Sequence, residues 1–323
     1  MRYAYGMIPE DYRIFPIFNQ TPEIWGRFYE IQHAGHASKS GLESFLTGSA
    51  SIWKTCEHNF AFGAYELVGH KNPRMGIDRM VGFVSGYKEE SGNAYVQSIR
   101  VLPELRHQKL YIGQRLMRAA ETAMAADFGM VGLHSNESAR HFYESPMNGY
   151  VWDKKFDDYY SKKISGMAHG KIIPLFNVTK PDCRYENIVK TIQNKDIRRD
   201  YFLNSLYDGV NQLHRPAWAC VDERGVIRGF VVVELYGVLN ASIKVICVDS
   251  VNYARRGAGR ALNDTVCDWL EFNGFRKLTA KPVIGSHDFY KGTGWLPDTF
   301  AEVIHGEVQE YYKNLPREQS SER

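Results

Sequence analysis

The stretch Tyr253-Ala254-Arg255-Arg256-Gly257-Ala258-Gly259-Arg260-Ala261-Leu262 pairs glycines with arginines where an apolar run gives way to helical spacing. Glycine permits φ > 0 and close approach of a ligand to the backbone. The free N–H groups and dipole of a following helix attract an anion. Arginine adds charge and bidentate donors. Together these suit a pyrophosphate, although a lone Gly-x-Gly fits a tight turn with a solvated basic face equally well. Farther along come proton-transfer candidates. Tyr290, in Phe289-Tyr290, carries a phenol. Glu234 interrupts the apolar run Phe230-Val231-Val232-Val233-Glu234-Leu235, where a carboxyl is expected to have a raised pKa and to face a cleft. Simple alternation would instead put it on the wet face. Asp249 precedes the basic turn and reads as a second base candidate or as a turn-forming carboxylate.

The elements that must hold these residues follow from periodicity and punctuation. A strand is expected over Lys171–Phe176 and a helix over Tyr185–Gln193. A hairpin follows, with arms Ala217–Val221 and Val226–Leu235 around the turn Asp222-Glu223-Arg224-Gly225. The next strand, Ile243–Val248, feeds the basic turn. Beyond it, Leu262, Val266, Trp269 and Leu270 fall at helical spacing, with Gly274 as the stop. A strand at Lys277–Lys281, a short helix holding Phe289-Tyr290, and a Tyr-Tyr strand complete the set.

The same order stands once before. Ile14-Phe15-Pro16-Ile17-Phe18-Asn19 returns as Ile172-Ile173-Pro174-Leu175-Phe176-Asn177, and Val81-Gly82-Phe83-Val84 as Arg228-Gly229-Phe230-Val231. Gly113-Gln114-Arg115-Leu116 returns as Gly259-Arg260-Ala261-Leu262, Phe142-Tyr143 as Phe289-Tyr290, and Asp158-Tyr159-Tyr160 as Glu310-Tyr311-Tyr312. The offsets are 158, 147, 146, 147 and 152. An ordered series of this kind indicates a half-chain duplication. Copy one then has strands at Tyr12–Phe18, Tyr95–Val101 and Met130–His134, and helices at Glu23–His33 and across Leu116–Met124. Its hairpin carries a longer loop through Gly69-His70-Lys71-Asn72-Pro73. The expected domains are 1–165 and 170–316, joined at Ser165-Gly166-Met167-Ala168-His169-Gly170 and followed by a polar tail, 317–323. Interleaved strands and helices with both hairpin and crossover connections imply an α/β fold, a mixed sheet in each copy with helices on its faces.

At this point the chain resembles the GNAT superfamily of acyl-CoA N-acyltransferases. Its signature is Arg/Gln-x-x-Gly-x-Gly/Ala opening a helix, then Asn-x-x-Ala-x-x-Phe-Tyr. Copy one carries Gln108-Lys109-Leu110-Tyr111-Ile112-Gly113 and Asn136, Ala139, Phe142, Tyr143. Copy two carries the intact glycine pair but has Ala254 for the Arg/Gln and a second motif reduced to Ser286, Phe289 and Tyr290. The resemblance implies two tandem GNAT-like domains, one of them degenerate, that bind acetyl-CoA and pass its acetyl group directly to a primary amine without a metal. In copy two it puts coenzyme A on Val248, Arg255, Arg256, Gly257, Ala258, Gly259 and Arg260. In copy one it puts it on Val101, Gln108, Tyr111, Ile112, Gly113, Gln114, Asn136 and Phe142. A backbone N–H near Val248 or Val101 would receive the oxyanion. Tyr290 and Tyr143 would protonate the leaving thiolate. Tyr111 stands where the first glycine belongs, and its side chain could obstruct the cradle. Copy two is therefore the expected catalytic domain; copy one would bind coenzyme A weakly or shape the acceptor cleft.

Bulk properties narrow the rest. The net charge of +3 is too small to call for a nucleic-acid partner or a membrane surface. No apolar stretch approaches a membrane span, and no basic start followed by an apolar run marks a signal peptide. The five cysteines form no Cys-x-x-Cys pair, which suits a reducing, cytoplasmic setting. His33 and His36 lack the partners of a metal site. The acceptor is expected to be a small molecule or a peptide amine. The rival readings are an acyl-CoA-binding module without turnover and an aminoacyl-tRNA-dependent transferase of the same fold.

Overall fold

The computed structural model describes residues 12–18, 22–33, 59–66, 79–89, 92–106, 108, 110–135, 137–153, 158–164, 171–176, 178, 180–192, 199–210, 215–236, 239–252, 256–282, 286–297, 303–304, 307–308 and 310–315. The chain divides into two compact units, the first ending at Met167 and the second continuing from Ala168.

In the first unit the strands are β1 (Tyr12–Pro16), β2 (Asn59–Glu66), β3 (Met80–Lys88), β4 (Ala94–Val101), β5 (Met130–His134), β6 (Val151–Trp152) and β7 (Tyr159–Lys163). They form one sheet in the order β1-β2-β3-β4-β5-β7-β6. Its helices are α1 (Pro22–Gln32), α2 (Pro103–Arg106), α3 (Ile112–Met124) and α4 (Arg140–Tyr143). The second unit has β8 (Lys171–Leu175), β9 (Ala217–Val221), β10 (Ile227–Tyr236), β11 (Asn240–Val248), β12 (Lys277–Ala280), β13 (Leu296–Pro297) and β16 (Tyr311–Asn314). A separate small hairpin pairs β14 (Val303–Ile304) with β15 (Glu307–Val308). The main sheet runs β8-β9-β10-β11-β12-β16-β13, the same topology as the first. Its helices are α5 (Cys183–Lys190), α6 (Arg199–Val210), α7 (Ala258–Phe272) and α8 (His287–Gly292). The periodicity anticipated all of these helices except the one-turn α2 and the three-turn α6.

Each core is built alike. Leu116, Ala120, Ala123 and Met124 bury one stripe of α3, and Leu262, Val266, Trp269 and Leu270 bury that of α7. Full burial of one such large side chain is worth about 1.5–3 kcal/mol. Phe28 of α1 stacks on Phe83 of β3 at 4.1 Å, and Tyr185 of α5 meets Phe230 of β10 edge-on at 5.7 Å. Gly274 takes φ 80° after α7, and the Gly274 and Phe275 N–H groups donate to the carbonyls of Glu271 and Leu270. That is a Schellman stop, as the sequence indicated.

The final strands shift one repeat pairing by a residue. Leu133 lies opposite Tyr160, and Ala280 opposite Tyr311. With Leu133 and Ala280 equivalent by the 147-residue offset, Tyr160 corresponds to Tyr311 rather than to Tyr312. Both are buried, whereas Tyr159 and Tyr312 are half-buried.

The irregularities that matter are at the sheet centre. β4 and β5 pair in parallel only at Ala94↔Val131 and Tyr95↔Gly132. β11 and β12 pair only from Asn240↔Lys277 to Ile243↔Ala280. Beyond those points the two strands of each pair separate. On its other edge β4 carries an extra residue, Gln97, between the pairs Gly86↔Val96 and Ser85↔Ser98. β11 carries Lys244 between Val233↔Ile243 and Val232↔Val245. Gln97 plus 147 is 244, so the bulge recurs at the same place. A bulge bends its strand and increases the twist, which opens a cleft beside the strand end that leads to α3 or α7.

Candidate active site

Each cleft is bordered by the helix that follows it. α7 opens on Gly257, at φ 80° and ψ 0°, and α3 opens on Tyr111, at φ 53° and ψ 27°. Tyr111 thus adopts the left-handed turn that Gly257 adopts, although a side chain there costs about 1–2 kcal/mol. The expected obstruction is confined to the side chain, which is 45% exposed; the backbone of the turn is preserved. Neither N-cap side chain bonds to its helix. The first intrahelical acceptors are reached at Arg115, which donates to Tyr111, and Ala261, which donates to Gly257. Helical geometry therefore leaves the N–H groups of Ile112, Gly113 and Gln114, and of Ala258, Gly259 and Arg260, for an external acceptor.

Gly113 and Gly259 have a different task. A Cβ on Gly113 would lie 3.0 Å from the Phe142 ring and 3.9 Å from Val101 Cγ2; on Gly259 it would lie 3.1 Å from Phe289 and 3.7 Å from Val248 Cγ2. Valine, glycine and phenylalanine form the same stack in both copies, tying the strand end to the helix start and to the Phe-Tyr motif.

Basic groups lie around these turns. Arg256 and Arg260 are exposed, and Arg260 Nη2 donates to the Gly292 carbonyl at 3.1 Å. In copy one Gln108 is exposed, and its amide donates to the Glu104 carbonyl at 2.9 Å. Arg255 and Asn136 lie outside the described residues.

The two motif tyrosines are buried, at 6% exposure for Tyr143 and 4% for Tyr290. Burial pushes each phenol up to about 12; in Tyr143 the nearby Arg100 pulls the other way. Tyr143 packs against Tyr150 and Tyr160, and Tyr290 against Trp295 and Tyr311. Among the described residues neither hydroxyl has a hydrogen-bond partner. A neutral phenol of this kind can give its proton to a thiolate.

The base candidates read from sequence fare differently. Glu234 was expected to have a raised pKa; its pKa is lowered. Lys244 Nζ lies 2.7 Å from Oε2, and Arg215 Nη2 2.8 Å from Oε1. The Lys244 hydrogen bond, assisted by Arg215, outweighs the cost of burial. Asp249 is also held below the usual carboxylate range. Burial opposes ionisation there, but the N–H groups of Asn252 and Val251, the Asn252 amide and Arg228 prevail. Its geometry is that of a turn-forming carboxylate.

Sequence reasoning missed a cluster in copy one. His134 Nδ1 lies 2.8 Å from Asp158 Oδ1, across the β5–β7 ladder. Its ring is 5.9 Å from that of Tyr95 and 5.1 Å from that of Tyr159. With Ser135, Glu137, Arg140, Trp152 and Tyr160 the pair lines a cavity of about 480 Å³. Residues 24 apart carry no periodic signal; only the strand register joins them. Among the described residues, no three His, Cys, Asp or Glu side chains converge as metal ligands would, and no helix is long and apolar enough to cross a membrane.

The sequence matches the Acetyltransferase (GNAT) family twice, over residues 29–148 and 160–295. The chain belongs to the GNAT acetyltransferase family. The two matches follow the two sheets, so this GNAT chain is a tandem one. Among solved structures, the chain is similar to GCN5 of Tetrahymena, at 12% identity over 46% of this chain and 97% of that one, with a TM-score of 0.36. It is also similar to the ribosomal-protein-S18-alanine N-acetyltransferase of Escherichia coli, at 18% identity over 47% and 97%, with a TM-score of 0.34. A third is the paia N-acetyltransferase of Thermoplasma acidophilum in complex with coenzyme A, at 19% identity over 47% and 98%, with a TM-score of 0.33. No curated protein matches.

Proposed function

We propose that this GNAT protein transfers the acetyl group of acetyl-CoA directly to a primary amine on a small molecule or peptide. The observation that carries the reading is the repeated geometry: a left-handed turn, an uncapped helix start, a cleft opened by a bulge, and a buried phenol at its side. In copy two Gly257, Ala258, Gly259 and Arg260 would present N–H groups to the pyrophosphate, with Arg255 and Arg256 adding charge. In copy one Tyr111, Ile112, Gly113 and Gln114 would do so, with Gln108 and Asn136 flanking and Phe142 setting the helix start. The strand-end backbone near Val248 or Val101 would receive the oxyanion. Tyr290 or Tyr143 would return a proton to the sulfur. Copy two, with glycine in the turn, offers the less hindered phosphate site. Three of the described cysteines are buried and unpaired, which supports a reducing, cytoplasmic setting.

A second reading has a specific observation in its favour. Glu234 is clamped between two cations, so copy two could bind acyl-CoA without deprotonating an acceptor.

Calorimetric titration of acetyl-CoA tests the binding on which both depend. Gly257 and Tyr111 face open solvent at equivalent positions, so Gly257→Glu and Tyr111→Glu put an anion into each cradle without disturbing the core. Loss of one site in each variant is expected. No binding to the wild type rejects the acetyl-CoA reading; full binding without thiol release, across many amines, favours the second.

A further inference from the structure

Copy one has, on the β5 side of its cleft, what copy two lacks. The last β4–β5 pair is Tyr95↔Gly132, and His134 stands two residues beyond it, on the same face as Gly132 and Tyr95. The Tyr95 ring, on the strand that β5 parts from, lies 5.9 Å from that of His134. His134 is therefore on the lip of the cleft. Its Nδ1 is engaged by Asp158. In the neutral ring that bond puts the proton on Nδ1 and leaves the Nε2 lone pair for another partner. Among the described residues Nε2 has none. In copy two the equivalent of His134 is Lys281 (134 plus 147), an exposed cation, and Glu234 is clamped. We propose that copy one holds a second active site in which His134 accepts the proton of the acceptor ammonium and Asp158 positions the imidazole.

This rests on the acetyltransferase reading. The ammonium gives one proton to His134 Nε2. The freed nitrogen lone pair attacks the thioester carbon, the C–N bond forms and the C–S bond breaks. Tyr143 protonates the sulfur, and the proton shed by the acylated nitrogen restores the Tyr143 phenol through solvent. The His134 proton then leaves to bulk water. Acetyl-CoA and an ammonium thus become an N-acetyl amine, CoA thiol and one proton.

The surroundings favour a cationic amine. Asp158 and Tyr159 face His134 from β7, Tyr95 from β4 with Tyr87 of β3 behind it, and Glu137 and Arg140 from the α4 side. Glu89 adds negative charge near Tyr95 and Tyr159. Arg140 is partly neutralised by Glu144 at 2.9 Å and sits over the Trp152 ring at 5.1 Å. The cavity is of a size suited to small ligands.

The test uses the full chain carrying Gly257→Glu, so that copy two is silent. Thiol release from acetyl-CoA is followed with spermidine, n-butylamine and a lysine peptide across pH. His134→Gln is expected to lower kcat/KM about 100-fold at neutral pH, to abolish the ascending limb of the pH profile, and to leave acetyl-CoA binding unchanged. Asp158→Asn is expected to cause a smaller loss, about 10-fold, with acetyl-CoA binding unchanged and the ascending limb retained, because the imidazole is still present but less firmly oriented. An unchanged rate in His134→Gln, or a loss there with the limb still present, overturns the proposal. Thiol release by the wild type but not by Gly257→Glu rejects the second site alone. No release by either rejects the acetyltransferase reading beneath it.

Discussion

The two copies agree where a coenzyme would lie and differ where an acceptor would. Turn, helix start, bulge, valine–glycine–phenylalanine stack and buried phenol recur at equivalent positions. On the opposite side, copy one has tyrosines and a His–Asp pair, and copy two has a carboxylate between two cations. Backbone features anchor the shared half; exchangeable side chains on strand faces make up the other. The two copies thus share one backbone frame and differ in the side chains set on it.

The sharpest contrast lies behind the phenols. In copy one Glu121, 2% exposed, meets Lys162 at 2.8 Å. Burial raises the Glu121 pKa, and Lys162 limits the rise. In copy two the matching positions are Cys267 and Lys313, and the lysine donates to the Thr293 carbonyl at 3.0 Å. Lys162→Met should destabilise the first unit by about 3–5 kcal/mol, since it strands a buried charge. Lys313→Met should cost the second unit far less, because a neutral thiol remains. Equal losses in urea unfolding would erase the contrast. The sign in pH follows from the raised pKa. The stabilisation from Glu121 is full below the ordinary carboxylate pKa and is lost as pH rises through the folded value. Lys162→Met should widen that window upward.

Next in size is the pair Tyr143→Phe and Tyr290→Phe. Each removes the proton donor and keeps the packing, so turnover in its own copy should fall about 100-fold with little change in acetyl-CoA affinity. Both losses, in single-turnover assays, would show two working sites. A loss in Tyr290→Phe alone would make copy one a binding domain. The smallest effect is expected of Tyr111→Gly, which relieves a left-handed side chain. It should stabilise the first unit by about 1 kcal/mol in thermal unfolding and bring the copy-one acetyl-CoA affinity toward that of copy two. Destabilisation would mean that the exposed ring makes compensating contacts.

Much of this was legible in the sequence. The repeat, the order of elements along the chain and the glycine turn that opens α7 are local patterns, and local patterns survive in one dimension. The Tyr159-Tyr160 and Tyr311-Tyr312 pairs misled by one residue because both members are tyrosine; only burial against the Phe-Tyr motif separates them. Glu234 misled because its partners Arg215 and Lys244 are 19 and 10 residues away and meet it only across the sheet. His134 and Asp158 were invisible for the same reason. Tyr111 was read as a break in the motif because side-chain identity, not backbone conformation, is what a sequence displays.

The bulges at Gln97 and Lys244 have a further consequence. In each strand the residues on either side of the extra one already alternate correctly, Val96 with Ser98 and Ile243 with Val245. A chain lacking that single residue would keep every core side chain on its proper face and would gain the option of zipping the central strands shut. Each opening thus exists at the expense of unmade ladder bonds, held by a single inserted residue.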